Sequence, residues 1–312
     1  MEYSAKIYSR IGELMQGVLP DASAFLVSGL PSRRWFSEAV LRCGAAGLRG
    51  AAAGDPGAIG EPEGVLPPKA REALAMLERQ VGQRLPKDVR IELRSNIPVG
   101  KGLSSSSTDV LSVLSVVDAF WETGLSAEAL YRIAARVEPT DPCLSDDIHI
   151  FYQHTGNRGT TIDLPPVTLI YFDAAPEARV DTLQTPRPWQ EGAGIFFSWL
   201  LRRLIVAAAA KDYAQLFEAV TYSAEYNQLL LPLPGFAELY RLAEETGAGV
   251  MVAHSGTIAG LLTKPEGAAG LLPRVEALAG NRCIAGRTAS PVYVEPYSSP
   301  SHRILCPAFP AH

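Results

Sequence analysis

A hydroxyl-rich segment between a strand and a long apolar helix constrains the fold of this chain most. Residues 89–93 alternate as in a strand, and residues 105–121 place apolar side chains every three or four positions, as in a helix. Between these elements the chain reads Pro98-Val99-Gly100-Lys101-Gly102-Leu103-Ser104-Ser105-Ser106-Ser107, and then Thr108. Glycines let backbone N–H groups approach an anion, and a helix start presents unpaired donors at the positive end of its dipole. The segment therefore predicts a phosphate-binding loop, with Pro98 to Ser107 as its residues.

Helix capping is the alternative interpretation, because serine and threonine favour the residue before a helix. One serine is enough for a cap, whereas four serines and a threonine follow Gly-Lys-Gly here. The segment has no GxxxxGK[ST] pattern and lacks the third glycine of a dinucleotide fingerprint. A phosphate site of another type is the favoured interpretation.

Composition narrows the function classes. The net charge is −5, from 28 Lys+Arg against 33 Asp+Glu, which argues against a nucleic-acid binder. The four cysteines form no CxxC pair, which argues against a zinc site or a disulfide scaffold. No signal peptide is visible, and Arg202 and Arg203 interrupt the longest apolar stretch, so we expect no membrane span and a cytoplasmic location. The oligomeric state stays open, a homodimer included.

The periodicity predicts an α+β protein, because strands and helices mix without strict β-α-β alternation. Helices are predicted over residues 69–81, 105–121, 130–137, 192–210, 212–223, 236–246 and 267–278. Strands are predicted over residues 3–8, 24–27, 89–93, 148–152, 160–164, 168–172, 250–253, 258–262 and 292–295. A Gly-, Ala- and Pro-rich stretch at residues 50–68 predicts a flexible connection.

The segment from Pro98 to Ser107 resembles the PxxxGL(G/S)SS(A/S) loop of the GHMP kinases. Residues 9–17 (SRIGELMQG) resemble the first motif of that family, and residues 247–260 (GAGVMVAHSGTIAG) resemble its third. The resemblance implies an N-terminal ribosomal-S5-domain-2-like domain at residues 1–155, which holds the loop. It implies a C-terminal ferredoxin-like α/β sandwich at residues 156–312, with ATP between the two domains. Ser104 stands where many members have glycine.

The resemblance also implies a Mg²⁺ site, with Ser106 as one ligand and Glu138, after the next helix, as the other. A hydroxyl and a carboxylate are oxygen donors of the kind that Mg²⁺ prefers. Ser105 matches a phosphate-contacting serine. The alternative for Glu138 is a solvated acid at a helix end.

Asp141 and Lys101 are the candidate catalytic residues, with Asp141 as the general base. Asp146 and Asp147 fit the family spacing from the glutamate better, although Glu-Pro-Thr-Asp at 138–141 resembles the threonine kinases. Some members use no protein base, since positioning and charge neutralisation dominate phosphoryl transfer. The structural alternative for Asp141 is an Asx turn before Pro142.

Seven residues are candidates for the acceptor substrate: Glu13, Gln16, Asp109, His254, Ser255, Gly256 and Thr257. Glu13 suits a substrate ammonium, and Arg10 or backbone amides suit a carboxylate. Asp109 would orient Lys101 or the ammonium, or would be a favourable charge near a helix start. Residues 254–257 would form a cradle against the phosphate loop, or a tight hairpin turn with Gly256 at positive φ.

Within the family, the resemblance is closest to the L-threonine kinases of cobalamin side-chain synthesis. It rests on Gly-Glu-Leu-x-Gln-Gly at 12–17, Pro-Val-x-Lys-Gly at 98–102, Ser-Ser-x-x-Asp at 105–109, and further short matches at 138–141, 227–228 and 253–257. It implies Mg-ATP-dependent phosphorylation of L-threonine to O-phospho-L-threonine, a precursor of the aminopropanol linker. Homoserine, serine or a sugar are other acceptors, and a non-catalytic binding protein is the alternative from a different class.

Overall fold

The computed structural model describes residues 1–43, 66–180, 189–280 and 290–299. Within these ranges seven α-helices and nine strands mix irregularly, which confirms the α+β class. The helices are α1 (Pro68–Val81), α2 (Ser105–Trp121), α3 (Ala127–Val137), α4 (Ala193–Ala210), α5 (Tyr213–Gln228), α6 (Phe236–Thr246) and α7 (Ala268–Gly280). The strands are β1 (Glu2–Val18), β2 (Ala24–Cys43), β3 (Val89–Ser95), β4 (His149–Tyr152), β5 (Asn157–Thr161), β6 (Val167–Asp173), β7 (Gly249–Val252), β8 (Ile258–Thr263) and β9 (Tyr293–Tyr297).

The strands form one antiparallel sheet in the order β5-β4-β2-β1-β7-β8-β6-β9. Strand β3 lies outside this order and pairs with the C-terminal half of β2, residues 37–43. The two halves of the sheet meet where Glu13 of β1 lies opposite Val252 of β7. A candidate site residue therefore lies at the junction between the N-terminal and C-terminal strands.

The first hairpin is much longer than predicted. Strands are predicted only over residues 3–8 and 24–27, with a turn at the glycines between them, but β1 and β2 are strands of 17 and 20 residues with two register shifts. Gly12 has a φ of +54°, and a Cβ on Gly29 would lie 1.8 Å from the Gly12 carbonyl oxygen. The glycines permit an irregularity and a close strand approach within the hairpin.

Most other elements lie within a few residues of their predicted positions, and the predicted bounds of α2 are confirmed. The predicted strand at 160–164 instead spans 157–161. The predicted connection at 50–68 lies outside the described residues as far as residue 65.

Three apolar clusters hold the helices on the sheet. Helices α1, α2 and α3 pack against β1 and β2, helices α4 and α5 pack against the middle of the sheet, and helices α6 and α7 pack against β6, β7 and β8. Helix α2 is buried on nearly every side from Ser107 to Asp118. Each fully buried aliphatic side chain contributes about 1.5–3 kcal/mol, so α2 is firmly fixed and its N-terminus has a defined position.

Helix α4 is long and apolar enough, by length and composition alone, to cross a membrane. Its buried residues include Phe197, Leu200 and Leu204, which belong to the central apolar cluster with residues of β1 and α5. A core helix of a folded domain has the same composition.

Candidate active site

Three consecutive bends shape the loop before α2. Gly100, Gly102 and Ser104 have φ angles of +74°, +82° and +53°. A Cβ on Gly102 would lie 2.1 Å from the Cβ of Ala253, so only glycine fits there. Ser104 has a left-handed backbone at the position where many GHMP kinases have glycine, so its side chain is accommodated at some conformational cost.

The three sequence motifs meet at this loop. The Gly12 amide donates to the Gly102 carbonyl oxygen at 3.3 Å, and the Thr257 and Ile258 amides donate to that of Lys101 at 3.0 and 3.1 Å. Gly256 does not have the positive φ of the alternative hairpin turn, and a Cβ on Gly256 would lie 2.1 Å from the Lys101 carbonyl carbon. Gly256 is needed for close packing, and residues 254–257 form the cradle.

The N-terminus of α2 has no cap from its own preceding residue. Ser104 makes no side-chain capping bond, and the first turn of α2 contains no acidic residue. Ser104 to Ser107 line a cavity of about 640 Å³. The first-turn amides and the positive end of the helix dipole thus lie beside a space that suits an anion.

The serine hydroxyls bind two carboxylates. Ser106 Oγ donates to Glu138 Oε1, and Lys69 Nζ donates to Glu138 Oε2. Ser107 Oγ donates to Asp141 Oδ2 at 3.2 Å, and the Asp141 amide donates to Ser107 Oγ at 3.0 Å. The structure thus brings the two predicted metal ligands together and places the predicted base one serine further along α2.

The donor set suits Mg²⁺. Ser106 and Glu138 together offer hydroxyl and carboxylate oxygens, and both line the cavity beside the first turn of α2. Mg²⁺ is usually bound by one or two protein oxygen ligands together with substrate phosphates and water. Ser106 and Glu138 therefore fit the role predicted for them.

Asp141 has an unusual electrostatic environment. Burial raises the pKa of Asp141 to about 7, and the nearby negative charges of Glu13 and Glu138 act in the same direction. Of the two alternative bases, Asp146 forms an ion pair with Arg33 at 2.9 Å, and Asp147 accepts a hydrogen bond from Ser145 at 3.0 Å. Neither alternative belongs to the described residues that line the cavity, which favours Asp141.

Glu13 is hydrogen-bonded to another of the residues predicted to bind the acceptor substrate, His254. Glu13 Oε2 accepts hydrogen bonds from the His254 amide at 2.8 Å and lies 3.2 Å from His254 Nδ1. His254 Nε2 lies 3.1 Å from Ser223 Oγ, which accepts a bond from the Gln16 amide at 3.2 Å. Glu13, Gln16 and Ser255 line the cavity, whereas His254 and Thr257 are buried behind it. His254 thus positions Glu13.

Lys101 has a structural environment, contrary to the catalytic role predicted for it. Its Nζ lies 2.8 Å from Asp173 Oδ2 and donates to three carbonyl oxygens at 2.6–3.0 Å, those of Ala175, Pro176 and Ala178. Its side chain is 9% exposed. These contacts saturate the ammonium, so Lys101 fastens the loop to the segment after β6.

Asp109 and Arg10 also have partners other than those predicted. Asp109 accepts a hydrogen bond from Ser37 on β2, its pKa is raised to about 6 chiefly by burial, and it is not among the residues lining the cavity. It therefore does not orient Lys101. The buried Arg10 guanidinium donates to the carbonyl oxygens of Gly29, Pro142, Ser145 and Asp147. These bonds fix the chain segment after Asp141. They also occupy the guanidinium, so Arg10 has no role toward a substrate carboxylate.

Several residues that sequence reasoning missed also line the cavity. They are Lys69, Gln153, His154, Arg179 and Trp189. Gln153 accepts a hydrogen bond from the Gln16 side chain at 3.1 Å. No local pattern marks these residues, because they come from four separate segments that only the fold brings together.

Comparison with known proteins agrees with this geometry. The family profile described as "GHMP kinases N terminal domain" matches residues 69–153. The chain is 31% identical to L-threonine kinase of Salmonella typhimurium over 201 residues, which is 60% of this chain and 66% of that protein. It is 30% identical to L-threonine kinase of Citrobacter freundii over 199 residues, 60% and 68% of the two chains. The alignments thus span about two thirds of each relative.

Solved structures agree on the fold across nearly the whole chain. Homoserine kinase from Cytophaga hutchinsonii superposes with a TM-score of 0.59 at 16% identity, covering 93% of this chain and 94% of its own. At this identity the similarity concerns the fold alone.

Proposed function

This chain belongs to the GHMP kinase family, and on that premise we propose that it phosphorylates the side-chain hydroxyl of L-threonine with ATP. One observation carries the proposal. The uncapped N-terminus of α2, the Ser106–Glu138 pair and the Ser107–Asp141 pair all line one cavity. A phosphate site and a metal site supply the positioning and charge neutralisation that dominate phosphoryl transfer, and a carboxylate beside them can accept the hydroxyl proton.

The phosphate chain of ATP would lie against the first turn of α2, where backbone amides and the helix dipole favour anions. Ser106 and Glu138 would hold Mg²⁺, which would neutralise charge on the phosphate oxygens. The left-handed bends at Gly100 and Gly102 keep the backbone close to this site.

Asp141 is the proposed general base. The threonine hydroxyl oxygen would form a bond to the γ-phosphorus as the bond from that phosphorus to the β–γ bridging oxygen breaks. The hydroxyl proton would pass to the Asp141 carboxylate, and ADP would leave. The raised pKa of Asp141, about 7, makes its carboxylate a stronger base than an ordinary aspartate while keeping it ionised above neutral pH.

Glu13 is the proposed partner of the substrate ammonium. It lies on the cavity wall, and His254 and Ser223 behind it hold it in place. Because the contacts of Arg10 exclude it, backbone amides are the proposed partners of the substrate carboxylate. We also propose the division into domains at 1–155 and 156–312, and a cytoplasmic location.

The test is turnover with Mg-ATP and a panel of L-threonine, L-serine, L-homoserine and galactose. We expect ADP release with L-threonine and a phosphomonoester product detected by ³¹P NMR. Preference for another acceptor would correct the substrate. ATP binding without transfer to any of them would support a non-catalytic binding protein.

A further inference from the structure

Lys69 is one of the cavity-lining residues that neither the motifs nor the proposed mechanism uses, and among them it alone has a hydrogen bond to a proposed metal ligand in the described part of the chain. It lies in the first turn of α1, and its side chain is 36% exposed. Its ammonium donates to one oxygen of Glu138, while Ser106 donates to the other oxygen. Lys69 and the first turn of α2 therefore lie on the two sides of one carboxylate.

The charge on the cavity wall calls for a cation at this place. Three carboxylates line the cavity, from Glu13, Glu138 and Asp141, against two permanent cations, Lys69 and Arg179. A triphosphate brings further negative charge, and like charges in a partly buried site repel strongly. The lysine of the phosphate loop does not offset this charge, because Asp173 and three carbonyl oxygens saturate Lys101.

We propose that Lys69 is the lysine through which this protein contacts the phosphate chain of its nucleotide. This inference rests on the proposed function, since it takes ATP as the phosphoryl donor. An ammonium carries three N–H donors, and the bond to Glu138 uses one of them. Glu138 thus holds the ammonium beside the proposed metal site while occupying one of its three donors, and α1 supplies a positive charge there that the motif lysine does not.

A purely structural ion pair is the competing account. In that case Lys69 would only neutralise Glu138 and tie α1 to the end of α3. The two accounts differ once Glu138 is made neutral, because a structural counterion then has no charge left to balance, whereas a phosphate ligand still attracts the nucleotide.

The experiment is calorimetric titration with ATP, ADP and AMP in EDTA, so that neither metal nor turnover is needed. Lys69→Gln is compared with wild type, and the same change is made in a Glu138→Gln background. Lys69→Arg is the conservative variant. Arg71→Gln is the matched control, because Arg71 is an exposed cation of the same helical turn and is not among the residues lining the cavity.

We expect Lys69→Gln to weaken ATP binding about tenfold or more in both backgrounds, as the loss of a charge-assisted hydrogen bond predicts. The affinity of Lys69→Gln for AMP should stay within about twofold of the wild-type value. The affinities of Arg71→Gln and Lys69→Arg for ATP should also stay within about twofold of wild type. No loss of ATP affinity in the Glu138→Gln background would overturn the inference and leave the proposed kinase intact. The wild-type titration is repeated with Mg²⁺, and if ATP binds only in that buffer, the same variants are compared there. Failure of the wild type to bind ATP in either buffer would overturn both proposals. ATP binding without threonine phosphorylation in the Mg-ATP turnover assay would overturn only the proposed acceptor.

Discussion

Helices α2 and α3 both begin after a serine, but the two serines act differently. Ser126 before α3 has extended backbone, and its side chain accepts a hydrogen bond from the Ala129 amide. Ser104 before α2 has left-handed backbone and makes no capping bond. Glu128 also supplies an acid to the first turn of α3, whereas the first turn of α2 has none.

The difference shows what separates an ordinary helix start from an anion site. Helix α3 satisfies one of its first-turn donors with its own cap residue, so its N-terminus contributes stability. Ser104 precedes α2 and three more serines begin the helix, yet Ser106 and Ser107 donate to the carboxylates of Glu138 and Asp141. Backbone conformation, and not the supply of hydroxyl groups, decides which helix end is available to a ligand.

The largest expected effect is at the α2 end. Ser106→Ala and Glu138→Gln should each lower kcat/KM for L-threonine by about 10³-fold or more, because charge stabilisation of the transferred group dominates phosphoryl transfer. Steady-state kinetics and thermal melting of the purified variants measure activity and stability separately. Near-normal rates in both variants would show that the metal site is elsewhere.

Asp141→Asn should lower kcat by about 10³-fold, within the range for loss of a general base. The wild-type kcat/KM should rise with pH through about 7, since the carboxylate that accepts the proton prevails only above its pKa. The variant should lose this limb of the pH profile. An unchanged pH profile in Asp141→Asn would mean that another group titrates, or that the reaction uses no protein base.

Lys101→Met tests whether the loop lysine is structural. Its removal leaves Asp173 and three carbonyl oxygens without their shared donor, so we expect a loss of about 3 kcal/mol in the free energy of unfolding. Urea unfolding measures this loss. Wild-type stability combined with a collapse in kcat would return Lys101 to the catalytic role predicted from the sequence.

Ser126→Ala, at the start of α3, should have the smallest effect of these substitutions. Loss of this cap should lower the free energy of unfolding by about 1 kcal/mol. Turnover should stay unchanged, because Ser126 belongs to the helix end that satisfies itself. Urea unfolding and steady-state kinetics measure the two effects. A fall in kcat/KM of more than about twofold would contradict the purely stabilising role of the α3 N-terminus.

Local patterns predicted much of this molecule. The apolar repeat gave the bounds of α2, and the serine and glycine spacing gave the loop before it. Glu138 and Asp141 follow from the resemblance at 138–141, and the structure places both beside the serines. The long first hairpin was missed because its glycines resemble turn residues until the partner strand is known.

The sequence by itself determined most of the elements and the position of the glycine- and serine-rich loop before α2, because periodicity and backbone freedom are properties of neighbouring residues. Only the tertiary structure decided which charges face the cavity. Lys101 and Arg10 have the residue type of ligands but are saturated by carbonyl oxygens from distant segments, whereas Lys69, from an unremarkable helix start, reaches Glu138. A side chain's hydrogen-bond partners are the groups that the fold brings within about 3 Å of it. These groups come from distant segments, so the spacing of residues along the sequence does not reveal them.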